Sequence, residues 1–83
     1  MGPMDETDSK ELSLNAAIGA MRANRPLQAE EICRDYLLHH PSSAEHLRLL
    51  GHALMKQQRL TEAEEQLRFG LSLEPRHPQL HED

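Results

Sequence analysis

Apolar and small residues recur at helical spacing in two consecutive segments of the chain, over residues 44–73. Residues three, four and seven positions apart lie on one face of an α-helix. One stripe of this kind is formed by Leu47, Leu50, Gly51 and Leu54, and a second by Ala63, Leu67, Gly70 and Leu71. Pro75 follows the second stripe and cannot continue a helix. The pattern therefore predicts two helices that approach closely at the small residues Gly51 and Ala63.

The same pattern recurs one period upstream. A shift of 34 residues aligns identical pairs, which are Arg25 with Arg59, Ala29 with Ala63, Glu30 with Glu64, Glu31 with Glu65, Arg34 with Arg68, Leu37 with Leu71, and Pro41 with Pro75. A fixed period of this length indicates a repeat architecture, in which stacked units bury a continuous core. We predict two repeats, over residues 10–43 and 44–77. A disordered tail that includes a cloning remnant is expected over 1–8, and a truncated third repeat over 78–83.

The spacing resembles the tetratricopeptide repeat, whose pattern is W-x2-L-G-x2-Y…A-x3-F…P over 34 residues. Its slots are filled here by Leu47, Leu50, Gly51, Leu54, Ala63, Leu67 and Pro75. Apolar side chains replace the aromatic ones. The resemblance implies an all-α fold, in which antiparallel helix-turn-helix pairs stack as a short right-handed superhelix.

Local signals predict where the helices begin and end. Capping-box spacings, in which a short polar side chain precedes Glu by three residues, are expected to start three helices. Pro26 suits the first position of another helix, because its missing N–H costs nothing there. The expected helices cover about residues 9–23 after Asp8, 26–39, 43–58 after Ser42, and from Thr61 to before Pro75. Pro78 would open a fifth.

Charge and composition restrict the class of partner. The formal net charge is −5 and only two residues are aromatic, which argues against nucleic acid or an acidic membrane as the target. The single cysteine, Cys33, occupies an apolar slot and is interpreted as a buried structural residue. We find no run of apolar residues long enough to span a bilayer and no signal peptide, so a cytoplasmic protein is expected.

The sequence offers few candidate catalytic or metal-binding residues. The six histidines form no set of three or four ligands with carboxylates or Cys33, so they are interpreted as surface residues. The carboxylate pairs Glu30-Glu31 and Glu64-Glu65 recur at the repeat period, so they are interpreted as a solvated face that pairs with Arg34 and Arg68. No phosphate-binding loop or activated nucleophile is present. We therefore expect no metal, no cofactor and no enzyme activity in this segment.

The resemblance also implies a binding surface, because helical repeats use the concave side of the array. In the family this side is lined by the first helix of each pair, and a peptide or a neighbouring domain binds there. The inward slots correspond to Glu11 and Glu45 and to eight candidate binding residues, which are Leu14, Ile18, Met21, Arg22, Arg48, His52, Met55 and Lys56. The alternative is that Leu14 and Ile18 belong to the core and that the charged residues are simply solvated.

Two other roles remain open at this point. The fourth helix is expected to expose Leu67, Leu71 and Leu73, which would allow self-association as a homodimer. The chain is also interpreted as a fragment of a larger protein. It could then be a regulatory appendage of an enzyme whose catalytic domain lies beyond Asp83, on fold-level analogy alone.

Overall fold

The computed structural model describes residues 6–73 of the 83-residue chain, and the side chains of residues 8–73. This part of the chain forms four α-helices and no β-strand. The helices are α1 (Glu6–Arg22), α2 (Pro26–His39), α3 (Ala44–Lys56) and α4 (Leu60–Ser72). The predicted all-α fold is confirmed. Pro75 and the predicted third repeat over 78–83 lie outside the described residues.

The turns within the two helix pairs share one backbone geometry. Asn24 lies between α1 and α2 with φ of 64°, and Gln58 lies between α3 and α4 with φ of 66°. A left-handed conformation is uncommon for residues other than glycine and asparagine. Its recurrence 34 residues later shows that the internal repeat of the sequence is also present in the backbone.

Helix α2 has the predicted bounds, but the starts of α1 and α4 differ from prediction. Helix α1 begins at Glu6, so Asp8 lies in its first turn. A negative side chain there interacts favourably with the positive end of the helix dipole. Helix α4 begins at Leu60, after Arg59 and without a side-chain cap. Thr61 is therefore inside the helix, because the shared turn geometry fixes the start one residue after Arg59.

Successive helices run antiparallel, and α1 runs parallel to α3. The contacts that set these directions are Tyr36–His46 for α2 and α3, Gly51–Leu67 and Leu47–Gly70 for α3 and α4, and Lys10–Glu45 and Ser13–His46 for α1 and α3. For α1 and α2, Ala17 shares a core cluster with Cys33, and Ala20 shares another with Ala29. Residues of α1 thus lie beside residues of α3 that are about one repeat period later.

Helix α3 supplies most of the large side chains of the core. It buries Leu47, Leu50 and Leu54, whereas its neighbours contribute mainly small residues, which are Ala17, Ala20, Ala29, Cys33 and Ala63. Each fully buried leucine contributes about 1.5–3 kcal/mol. Ala29 and Ala63 are both buried, and Ala63 belongs to the packed cluster that contains Leu50 and Leu54.

Gly51 marks the closest approach of α3 and α4. A Cβ atom added to Gly51 would lie 2.6 Å from Cγ and Cδ2 of Leu67, and 3.4 Å from the carbonyl oxygen of Ala63. Gly19 has the opposite surroundings, because a Cβ atom there would have no neighbour within 4 Å. Gly19 and Gly51 therefore form a matched pair for testing the packing.

Alanine at these two positions is expected to change the free energy of unfolding in opposite directions. Gly19→Ala should raise it by about 1 kcal/mol, because alanine is the better helix former. Gly51→Ala should lower it by about 1 kcal/mol, since overpacking costs about 1–3 kcal/mol and exceeds the same gain. Urea unfolding followed by circular dichroism measures both values, and a stabilising Gly51→Ala would contradict the close α3–α4 contact.

Candidate functional site

An open groove of about 250 Å³ lies between the parallel helices α1 and α3. Four of the eight predicted surface residues line it, together with Glu45 and Leu49. The lining is Leu14, Ile18, Glu45, Arg48, Leu49 and His52. The structure thus brings together residues from both repeats that the sequence separates by about one period.

Helical spacing explains why these side chains share the groove. Leu14 and Ile18 are four residues apart on α1, so they lie on one face of that helix. The lining residues of α3 follow the same spacing, over positions 45, 48, 49 and 52. Beneath them, Ala17 and Leu50 belong to the same packed cluster and hold the two helices together.

The floor of the groove is apolar and partly open to solvent. Leu14 and Leu49 are half-buried, and Leu49 packs against the core cluster. Ile18 retains 37% of its surface exposed and is therefore not a core residue. Leu14 therefore lines the groove without being fully exposed.

One end of the groove is closed by an ion pair. Lys10 of α1 and Glu45 of α3 are joined by Nζ and Oε1 at 3.0 Å. The hydrogen bond from Lys10 is the main reason that the pKa of Glu45 is lowered from its ordinary value. This carboxylate therefore stays ionised at neutral pH and is already paired.

The other four predicted residues lie beyond the cavity, toward the C-terminal ends of the two helices. Met21 is half-buried and packs against the cluster of Ala20, Ala29 and Ala53. Met55 is exposed, as are Arg22 and Lys56, which are the last residues of α1 and α3.

No protein-family model, curated protein or solved structure matches this chain. Within the described residues, no three His, Cys, Asp or Glu side chains lie close enough to hold a metal ion. No helix over residues 6–73 has both the length and the apolar character that a bilayer crossing requires. Cys33 is fully buried as expected, and burial raises the pKa of its thiol to about 11.

His46 was predicted to lie on the surface, and this prediction is wrong. Its ring is fully buried and stacks on Tyr36, with ring centroids 3.9 Å apart. Nδ1 lies 2.7 Å from Oγ of Ser43, and Nε2 lies 2.9 Å from Oγ of Ser13. Burial, followed by the positive charge of Lys10, lowers the pKa of His46 from 6.5 to about 4. The neutral ring therefore joins α1, α2 and α3.

The residue that caps α3 is Ser43, one position after the predicted Ser42. Its Oγ accepts a hydrogen bond from the backbone N–H of His46 at 3.4 Å while it also contacts the ring of that residue. One hydroxyl therefore serves both the start of α3 and the buried imidazole.

Glu30 was predicted to lie on a solvated face, and this prediction is also wrong. Its side chain is only 8% exposed and accepts three hydrogen bonds. The donors are Arg34 Nε at 2.9 Å, Gln57 Nε2 at 2.9 Å and Arg59 Nη1 at 2.8 Å. The turn between α3 and α4 therefore lies on α2 and is held there by one carboxylate. The expected pairing of Arg34 with this residue is confirmed.

The three leucines proposed for self-association are not equivalent. Leu67 packs onto Gly51 and is half-buried, so its predicted exposure is wrong because α3 covers it. Leu71 is 61% exposed, and Leu73 is half-buried. A second open groove, of about 300 Å³, lies nearby between α2 and α4 and includes the exposed side chains of Leu38 and Phe69.

Proposed function

We propose that this chain is a protein-interaction module of the tetratricopeptide type that holds a peptide in the groove between α1 and α3. The 34-residue period, the antiparallel helix pairs and the parallel α1 and α3 support this assignment. The observation that carries it is the exposed Ile18, which lies on an apolar floor between polar rims.

The side chains that line the groove favour binding of a ligand over catalysis. Its lining includes no hydroxyl or thiol that could act as a nucleophile, and Glu45 is already paired with Lys10. An apolar side chain of a peptide that covers Ile18 removes apolar surface from water, which contributes about 25 cal/mol per Å². Arg48 and His52 lie at the rim, where polar groups of a peptide backbone or side chain can contact them.

A selection from a random peptide library on the purified protein tests this proposal. Selected peptides should bind the parent chain and lose about 10-fold to 100-fold in affinity for Ile18→Glu, because a charged carboxylate replaces the apolar surface that the peptide covers. Isothermal titration calorimetry measures the affinity, and thermal unfolding checks that the variant is folded.

Leu27→Glu is the matched control, because Leu27 is an exposed apolar residue of α2 outside the groove. It should leave affinity unchanged. The proposal fails if no peptide is selected, or if the selected peptides bind Ile18→Glu as tightly as they bind the parent chain.

Self-association is the second candidate function, and the exposed side chains near the end of α4 favour it. Leu71 is 61% exposed, and Leu38 of α2 is 75% exposed beside Phe69. Large exposed apolar side chains that lie together are typical of interfaces. Sedimentation velocity over a range of concentrations separates the two functions, since only self-association predicts a dimer that Leu71→Glu dissolves.

A further inference from the structure

The two ends of the groove between α1 and α3 differ in charge. At the N-terminal ends of the helices, Lys10 and Glu45 neutralise each other at 3.0 Å. At the C-terminal ends, α1 finishes with Arg22 and α3 finishes with Lys56. Because the two helices are parallel, both cations lie at the same end of the groove. The groove is therefore neutral at one end and basic at the other.

Both cations follow the lining residues at helical spacing. Arg22 is four residues after Ile18 on α1, and Lys56 is four residues after His52 on α3. Each therefore continues the stripe of its helix that faces the groove. Both residues are exposed, and within residues 8–73 neither takes part in an ion pair. Met55 is exposed and lies three residues after His52, next to Lys56 in the sequence.

The two cations are a local excess of positive charge. The formal net charge of the whole chain is −5, whereas over residues 8–73 nine acidic side chains nearly balance eight basic ones. A local pair of cations attracts carboxylates at one place and fixes their orientation more than it increases affinity.

We propose that the groove selects peptides with an apolar anchor and acidic residues to one side of it, bound so that the acidic residues face Arg22 and Lys56. This inference rests on the proposed peptide-binding function. The anchor covers Ile18, and the carboxylates extend past Met55 to the two helix ends. A basic peptide, or one with its carboxylates at the Lys10–Glu45 end, does not fit this distribution of charge.

Helix termini offer a simpler explanation for the same two cations. A positive side chain in the last turn of a helix interacts favourably with the helix dipole, without any ligand. That explanation predicts that reversing these charges lowers stability and leaves binding unchanged, so the two can be separated by measuring both quantities.

Peptides selected on the parent chain supply the probes for the test. They should be enriched in Asp and Glu. Lys56→Glu and Arg22→Glu are each expected to weaken binding about 3-fold, and the double variant about 10-fold, as for exposed charge pairs. Replacing the acidic residues of the peptide by Asn and Gln should abolish this sensitivity, which a double-mutant cycle measures.

Arg68→Glu is the matched control, because Arg68 is an exposed cation on α4 whose only described partner is the exposed Glu64. It should leave affinity unchanged. A carbodiimide, which joins a carboxylate to a nearby amine, gives an independent test of orientation. The bound peptide should be linked to Lys56 and not to Lys10, as identified by mass spectrometry.

The outcomes separate this inference from the function on which it rests. Selected peptides without acidic enrichment, linkage to Lys10, or charge reversals that change only the melting temperature would each overturn the inference, even if Ile18→Glu still abolishes binding. Failure to select any peptide, or indifference to Ile18→Glu, overturns the peptide-binding function and the inference together.

Discussion

Lowering the pH from 7 to 4 is expected to reduce the free energy of unfolding by about 3 kcal/mol through His46 alone. The pKa of His46 is lowered from 6.5 to about 4 in the folded chain, so the unfolded chain binds the proton first. Stability is therefore fully present above pH 6.5 and is lost progressively as the pH falls toward 4. Protonation would place a charge between Tyr36 and the core, near the positive charge of Lys10. Urea unfolding at intervals of pH measures the slope.

His46→Gln should flatten the stability profile between pH 6.5 and 4, at the cost of a lower stability at pH 7. His52→Gln is the control, because His52 is exposed on the same helix. It should leave the slope of the parent chain unchanged. A profile that is flat in the parent chain, or equally steep in His46→Gln, would contradict the buried and neutral state of this imidazole.

Glu30→Ala is expected to lower the free energy of unfolding by about 2 kcal/mol, because three donors lose their shared acceptor in a part-buried position. Glu64→Ala, one repeat period later, should lower it by less than about 0.5 kcal/mol. The side chain of Glu64 is 63% exposed and its described ion pair is with the exposed Arg68. The two variants make the same chemical change at equivalent positions of the repeat. Chemical unfolding of both at pH 7 gives the comparison.

The pH dependence of the Glu30 effect can be distinguished from that of His46. Burial raises the pKa of Glu30, but hydrogen bonds from Gln57, Arg34 and Arg59 outweigh it, so the pKa is lowered below 4.5. The stabilisation from Glu30 is therefore complete above pH 4.5 and is lost only below it, whereas that from His46 is lost between about pH 6.5 and 4. Equal losses in Glu30→Ala and Glu64→Ala would show that the network around Glu30 contributes nothing beyond a surface ion pair.

The sequence predicts the helices and much of the groove, because both depend on local spacing. The bounds of α2 follow from Pro26 at its first position and Pro41 shortly after its end. The close approach at Gly51 follows from its register with Leu67 across the turn. Likewise, the parallel arrangement of α1 and α3 is a consequence of the period, and it brings Ile18 and His52 to one groove.

Two buried polar residues were missed for different reasons. A signal for His46 exists in the sequence, since it lies four, seven and eight residues before Leu50, Ala53 and Leu54 and so shares the buried stripe of α3. Because histidine is polar, the pattern of apolar residues does not include this position. For Glu30 the period itself misleads, because Glu64 is exposed. What differs is the neighbour that covers each residue, and helical periodicity carries no information about it.

Helix α1 is held to the rest of the fold mainly by small and polar side chains. Its fully buried residues are Ala17 and Ala20, and its links to α3 include Ser13 with His46 and Lys10 with Glu45. Elements with little buried apolar area open most easily in native-state fluctuations. One wall of the groove therefore belongs to a helix with little buried apolar area. A ligand that bridges α1 and α3 would slow amide hydrogen exchange in α1 more than elsewhere. The loss of conformational entropy in α1 would then offset part of the free energy gained from the contacts with the ligand.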